Sequence, residues 1–161
     1  MSKSPFTEQP IIHHLMMITK KYLSTFADLT TDIPLERYHY ALLYIHQNNQ
    51  TLTQKDLASY FQVDKSFMVN MIDYLTKNGF VFRETSTTDR RKHFIKLTDK
   101  AQEFIPKIND AIKKTNLLAL KNVNNTNQKM LIDIIKQVEI NLNIDSQHII
   151  NIDYTKAKTT L

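Results

Sequence analysis

Gly79 is the only glycine in a chain of 161 residues that also carries just four prolines. Sandwiches and barrels use glycine at their tight turns, where positive φ is needed, so a chain this poor in glycine has to be built mostly of helices joined by short polar links. Its position is a landmark. It falls where a helix-periodic run stops, the place where a helix end favours a residue that tolerates positive φ.

Around that landmark the apolar spacing marks out the elements. Ile11, Ile12, Leu15, Ile18, Tyr22, Leu23 and Phe26 recur every three to four positions and predict a long amphipathic helix ending near Thr30. Pro34, preorganised for a first helical turn, predicts the start of a second helix that turns Tyr38, Ala41, Leu42 and Ile45 inward. Thr53 offers an N-cap for a short helix over 54–60 with Leu57, Ala58 and Phe61 on its buried side, and Gln62 and Val63 form a turn. Asp64 caps the next helix, which runs to Asn78.

After Gly79 the aromatic and β-branched runs 80–85 and 93–97 predict two strands around the polar stretch 86–92, a hairpin with a charged tip. Thr98 or Asp99 caps a further helix with Ala101, Phe104, Ile105, Ile108 and Ile112 on one face, bent at Pro106 by the missing N–H. A last helix begins near Thr126 with Leu131, Ile134, Ile135, Val138 and Leu142. Residues 146–161 show no period and read as a polar tail.

Composition narrows the function. The net charge is +5, distributed as 0 over residues 1–50, +3 over 51–100 and +2 over 101–161, and four of the nine cations in the middle third lie between Arg83 and Lys92. A basic centre of this kind is compatible with nucleic acid. The absence of cysteine excludes disulfides, thiolate metal sites and cysteine redox sensing, and is compatible with a reducing compartment. A polar start and no apolar run of the roughly 20 residues that a membrane span needs imply a soluble, cytoplasmic protein. No glycine-rich phosphate loop or activated nucleophile is visible, and Asp56, Asp64 and Asp99 stand at helix starts where capping explains them, so no enzyme is expected and no cofactor.

Two helices three or four residues apart, followed by a hairpin with cations at its tip, meet the needs of a winged helix-turn-helix, whose second helix fits the major groove of double-stranded DNA while the wing reaches the minor groove. On a helical wheel Met68, Met71, Ile72 and Leu75 face inward, while Ser66, Asn70, Asp73 and Lys77 face outward. Ser66 and Asn70 can bond base edges, Lys65 and Lys77 can meet phosphates, and Phe67 or Val69 can touch thymine methyls. Asp73 sits awkwardly there unless a cation pairs with it. An ordinary solvated helix face has the same periodicity; the succession of cap, short helix, cap, glycine stop and basic hairpin is what favours DNA.

The stretch Leu52-Thr53-Gln54-Lys55-Asp56-Leu57-Ala58, through Gly79-Phe80-Val81 and Asp89-Arg90-Arg91-Lys92 to Ile95-Lys96-Leu97-Thr98, resembles the DNA-binding core of the MarR (multiple antibiotic resistance regulator) family, and the resemblance extends more loosely over 8–145. It implies a mainly α fold with a small β-hairpin, in which the winged domain (34–98) rides on a helical dimerisation scaffold made of an N-terminal helix (1–33) and C-terminal helices (99–145), with the tail (146–161) beyond. It implies a homodimeric transcriptional regulator, a repressor, reading a pseudo-palindromic operator. Asp89 would brace the wing, Arg91 would enter the minor groove, and Arg83, Arg90 and Lys92 would add cationic contacts, although a solvated tip explains the last two as well. It further implies a crevice for a small-molecule effector, with His14, Lys20, Tyr22 and Tyr38 as its lining. Phe67, Val69 and Asn70 depart from the polar residues common in the family.

Two rivals remain at this level. A winged helix can serve as a protein-contact module, with Phe67 and Val69 as its anchor. The histidines, His13, His14, His39, His46, His93 and His148, suggest a metal sensor, yet none forms an i, i+4 ligand pair on one helix and no metal site is assigned.

Overall fold

The computed structural model describes residues 10–49, 51–142 and 148–153. Six helices and one hairpin follow in the order α1 (Ile11–Asp28), α2 (His39–Gln47), α3 (Gln54–Phe61), α4 (Lys65–Lys77), β1 (Val81–Thr85), β2 (His93–Leu97), α5 (Asp99–Ala119) and α6 (Asn125–Leu142).

Local chemistry sets most of these boundaries. Thr53 and Asp56 form a reciprocal capping box at α3: the Asp56 N–H donates to Thr53 Oγ1, and the Thr53 N–H donates to Asp56 Oδ2 at 2.8 Å. Asp64 Oδ1 caps α4 by accepting from the Phe67 N–H at 2.8 Å, and Thr98 caps α5 through the Ala101 N–H. At the other end of α4, Gly79 takes φ = +74°, its N–H reaches the Thr76 carbonyl, and the Phe80 N–H reaches Leu75, the paired bonds of a Schellman stop. α5 continues through Pro106 as one helix.

Pro34 does not open a helix. A proline disfavours the helical region for the residue before it, here Ile33, and the Leu35 N–H bonds back to the Ile33 carbonyl at 2.7 Å across Pro34. Ile33 and Leu35 are both buried, which anchors the link as a tight turn, and α2 starts only after Tyr38 at φ = 69°.

β1 and β2 pair antiparallel in the register Val81 to Leu97 and Arg83 to Ile95. A short bridge adds to this wing from outside the hairpin: the Ile95 N–H donates to the Leu52 carbonyl at 2.9 Å, and Thr53 pairs with Phe94. One buried core runs from Phe26 on α1 through α2, α3, α4 and both strands to Ala111 on α5, with Leu42, Ile45, Leu57, Met68, Ile72, Leu75, Phe80, Ile95 and Ile108 fully enclosed. Packing therefore continues across positions 33/34 and 98/99, and the first half of α5 is part of the floor under the helix-turn-helix.

The scaffold is different. No residue of α6 is buried, and Ile11, Ile12, Leu15, Met16 and Ile18 on α1 stand exposed. Among the described residues no helix is long and apolar enough to cross a membrane.

Candidate nucleic-acid interface

The outer face of α4 is built by what its inner face does. Met68, Met71, Ile72 and Leu75 are buried in the core, which leaves Lys65, Ser66, Asn70, Asp73 and Lys77 exposed along the opposite side. Val69 is half-buried at the edge of this face. Phe67 belongs to the packing: it is half-buried against the core, with its ring edge-on to Tyr38 at 6.4 Å between centroids. Its distance from Met68 on a wheel suggests exposure, but the flank it occupies is covered by Tyr38 at the start of α2.

Asp73 finds the cation it needs. Arg83 Nη2 on β1 donates to Asp73 Oδ1 at 2.7 Å and to Gln54 Oε1 at 3.3 Å, which ties α4, the hairpin and the start of α3 to one guanidinium. The carboxylate facing outward is neutralised, and Arg83 links α4 to the hairpin.

At the hairpin tip, the Ser86 N–H donates to the Lys92 carbonyl and the Lys92 N–H to the Asp89 carbonyl, both at 2.9 Å. Ser86 is buried, and its Oγ accepts from the Thr88 and Asp89 N–H groups at 3.3 Å. Asp89 Oδ1 in turn accepts from the Arg91 N–H at 3.0 Å and touches Arg91 Nε at 3.4 Å. The tip is thus a small closed network that fixes the backbone under Arg91 while leaving the Arg91 side chain 92% exposed. Arg90 and Lys92 are exposed beside it. Ser86 carries no charge and sits in no motif, so only the turn itself identifies its role.

Two aspartates near these elements are held below the ordinary carboxylate range. Asp56 is lowered by the Thr53 backbone and side-chain hydrogen bonds, and Asp64 by the Phe67 N–H and then by the side chain of Asn151. Asn151, Arg37 and Asp153 all lie outside every motif of the sequence, yet Asn151 bonds to the Asp64 cap of α4, and Arg37 pairs with Asp153 beside Tyr38 and Tyr74.

The four residues expected to line an effector crevice do not come together within the chain. His14 and Lys20 are exposed on α1, the Tyr22 hydroxyl donates to Asn116 Oδ1 on α5 at 2.7 Å, and Tyr38 packs edge-on against Tyr74 and Phe67. A groove of about 550 Å³ lies instead between the 30–36 link and the end of α4, lined in part by Thr30, Pro34, Tyr74 and Lys77. Among the described residues no cluster of three or more histidine or acidic side chains is placed to hold a metal.

Residues 35–93 match the model of the MarR family. The fold is shared with the transcriptional regulator SlyA at a TM-score of 0.74 and 22% identity, over 83% of this chain and 94% of that one. It is equally shared with a MarR-family transcriptional regulator from Listeria monocytogenes complexed with 26mer DNA, at 0.74 and 23% identity over 83% and 89%. A cysteine-to-serine mutant of MarR from E. coli, complexed with operator DNA, follows at 0.73 and 19% identity over 84% and 99%. The caps, glycine stop and wing of the segment 35–93, the part that matches the MarR family, thus stand on a fold that the chain shares with these regulators.

Proposed function

We propose that the protein is a homodimeric, sequence-specific regulator of transcription that binds double-stranded DNA in the cytoplasm, with α4 in the major groove and the wing in the minor groove. The observation that carries the reading is Arg91. A guanidinium left in solvent at the end of a hairpin whose turn is braced by Ser86 and Asp89 is suited to the concentrated negative potential of a narrow minor groove. Lys65, Ser66, Asn70 and Lys77 supply the polar outer face of the helix beside it, with Val69 as its apolar edge and Arg90 and Lys92 toward phosphates. The operator complex of the E. coli protein and the 26mer DNA complex of the Listeria protein lend this reading support from the same fold.

The dimer follows from α6. Its Leu131, Ile132, Ile134 and Ile135 and the apolar start of α1 form surfaces that a monomer leaves in water, and a second copy of the chain is their natural cover. Two heads held by such a scaffold read half-sites about one helical turn apart. In this reading the bound dimer represses by occupying its operator, a small ligand acts in a crevice completed by the second protomer, and no catalytic residue is assigned. The packing of half-buried Phe67 against Tyr38 engages one of the two apolar side chains, Phe67 and Val69, that would anchor a protein-contact module, which favours the DNA reading over that rival.

Selection from random duplex DNA is the test. The wild type is expected to enrich a palindromic site with steep salt dependence, and Arg91→Ala to lose about 1–3 kcal/mol of binding, roughly 5- to 150-fold, with its helical content unchanged. Enrichment of no site would overturn the reading.

A further inference from the structure

Residues 148–153 belong to no helix or strand, and they lie against the end of α4 that enters the groove. Asn151 holds the cap residue at two points: its Oδ1 accepts from the Asp64 N–H at 3.2 Å, and its Nδ2 donates to Asp64 Oδ2. Two residues on, Asp153 Oδ2 accepts from Arg37 Nη1 at 2.6 Å, and Asp153 Oδ1 accepts from the Tyr38 hydroxyl at 3.3 Å. Arg37 itself lies over the rings of Tyr38 and Tyr74, so the segment spans from the cap residue of α4 to the aromatic flank that α4 shares with Tyr38.

We propose that this segment is an intramolecular strap that occupies the N-terminal end of the recognition helix and competes with DNA for it. The inference rests on the DNA-binding reading above. The N-terminal residues of a recognition helix are those that meet base edges and phosphates, and a peptide bonded to Asp64 stands within two residues of Lys65 and Ser66. The Asp153 carboxylate on Arg37 fills a guanidinium with the kind of anion that a phosphate would otherwise supply. The strap is also built to yield. Ile149, Ile150 and Ile152 are 59%, 75% and 76% exposed, so it buries little apolar surface and is held by solvent-exposed polar contacts, each worth little on its own. A polyanion that engages many cations at once can displace such a contact, and the affinity it reads is reduced by the fraction of molecules with the strap down.

Asn151→Ala tests this in the full chain without changing its charge. On an operator selected by the wild type, the variant is expected to bind about three- to tenfold more tightly, and amide exchange over 148–153 of the wild type is expected to speed up when that operator is added. Equal or weaker binding by Asn151→Ala, or unchanged or slowed exchange over 148–153 on the operator, would show a strap that is idle or part of the DNA contact, and would overturn the inference while leaving DNA binding intact. If neither protein selects any duplex, the DNA-binding reading falls and the strap falls with it.

Discussion

α4 and α6 are both amphipathic, yet they end in opposite states. α4 has 13 residues and buries four of them, whereas α6 has 18 and buries none, despite Met130, Leu131, Ile132, Ile134 and Ile135 broken only by Asp133. The difference lies in what surrounds each helix. α4 has α3 and β1 against it and Tyr38 on its flank, all within 40 residues along the chain, while among the described residues α6 has no comparable wall. An apolar stripe is an instruction to find a partner, and the head satisfies it internally where the scaffold looks outward.

That contrast can be broken by placing charge on the outward stripe. Leu131→Asp with Ile135→Asp sets two carboxylates one turn apart on α6, where each would have to be desolvated in a dimer interface. The double variant is expected to sediment as a monomer with its head folded, and to lose more than about 100-fold in operator affinity because the two half-sites are no longer read as one. A variant that remains dimeric and binds as before would place the interface elsewhere.

The inward stripe should answer differently. Met68→Ala removes a fully buried side chain from the centre of the head and is expected to cost about 2–5 kcal/mol in denaturant unfolding. A loss below about 1 kcal/mol would mean that the core can collapse around the gap. The comparison is then between a variant that changes assembly and one that changes folding, with DNA binding weakened in the first even where the head's unfolding transition is intact.

How much of this was legible beforehand follows the distance over which each feature is determined. Thr53, Asp64, Thr98 and Gly79 act on neighbours three to five residues away, and their caps and stop stand where the sequence places them. The wing and its exposed Arg91 were equally readable, because a charged tip between two β-branched runs is a local pattern. Pro34 misleads because its favourable φ suits a tight turn as well as a helix start, and the burial of Ile33 and Leu35 decides between them. Phe67 misleads because a wheel describes one helix and not the Tyr38 that covers its flank. The Arg83 link to Asp73 and Gln54 joins three elements, and the contacts of Asn151 and Asp153 reach back 87 and 116 residues to Asp64 and Arg37, with no periodicity or motif to announce them.

The smallest expected effect concerns how the head closes its own helix ends. α1 begins at Pro10 with no side-chain cap, whereas α3 begins with the Thr53 and Asp56 box, in which Asp56 Oδ2 accepts from both the N–H and the hydroxyl of Thr53 at 2.8 and 2.7 Å. These bonds favour the carboxylate and lower the folded-state pKa of Asp56 below its ordinary value near 4. A depressed carboxyl stabilises the fold fully above the unfolded value, and the contribution disappears as pH falls through the folded value, so the loss is confined to the acid side of about pH 4. Asp56 lies largely in solvent, which screens the box and keeps its worth below about 1 kcal/mol. Asp56→Ala is therefore expected to lower urea stability slightly at pH 7, and the wild-type and variant curves should converge as the pH is taken down toward 3. A gap of constant size across that range would show that the box is held by something other than the ionised carboxylate.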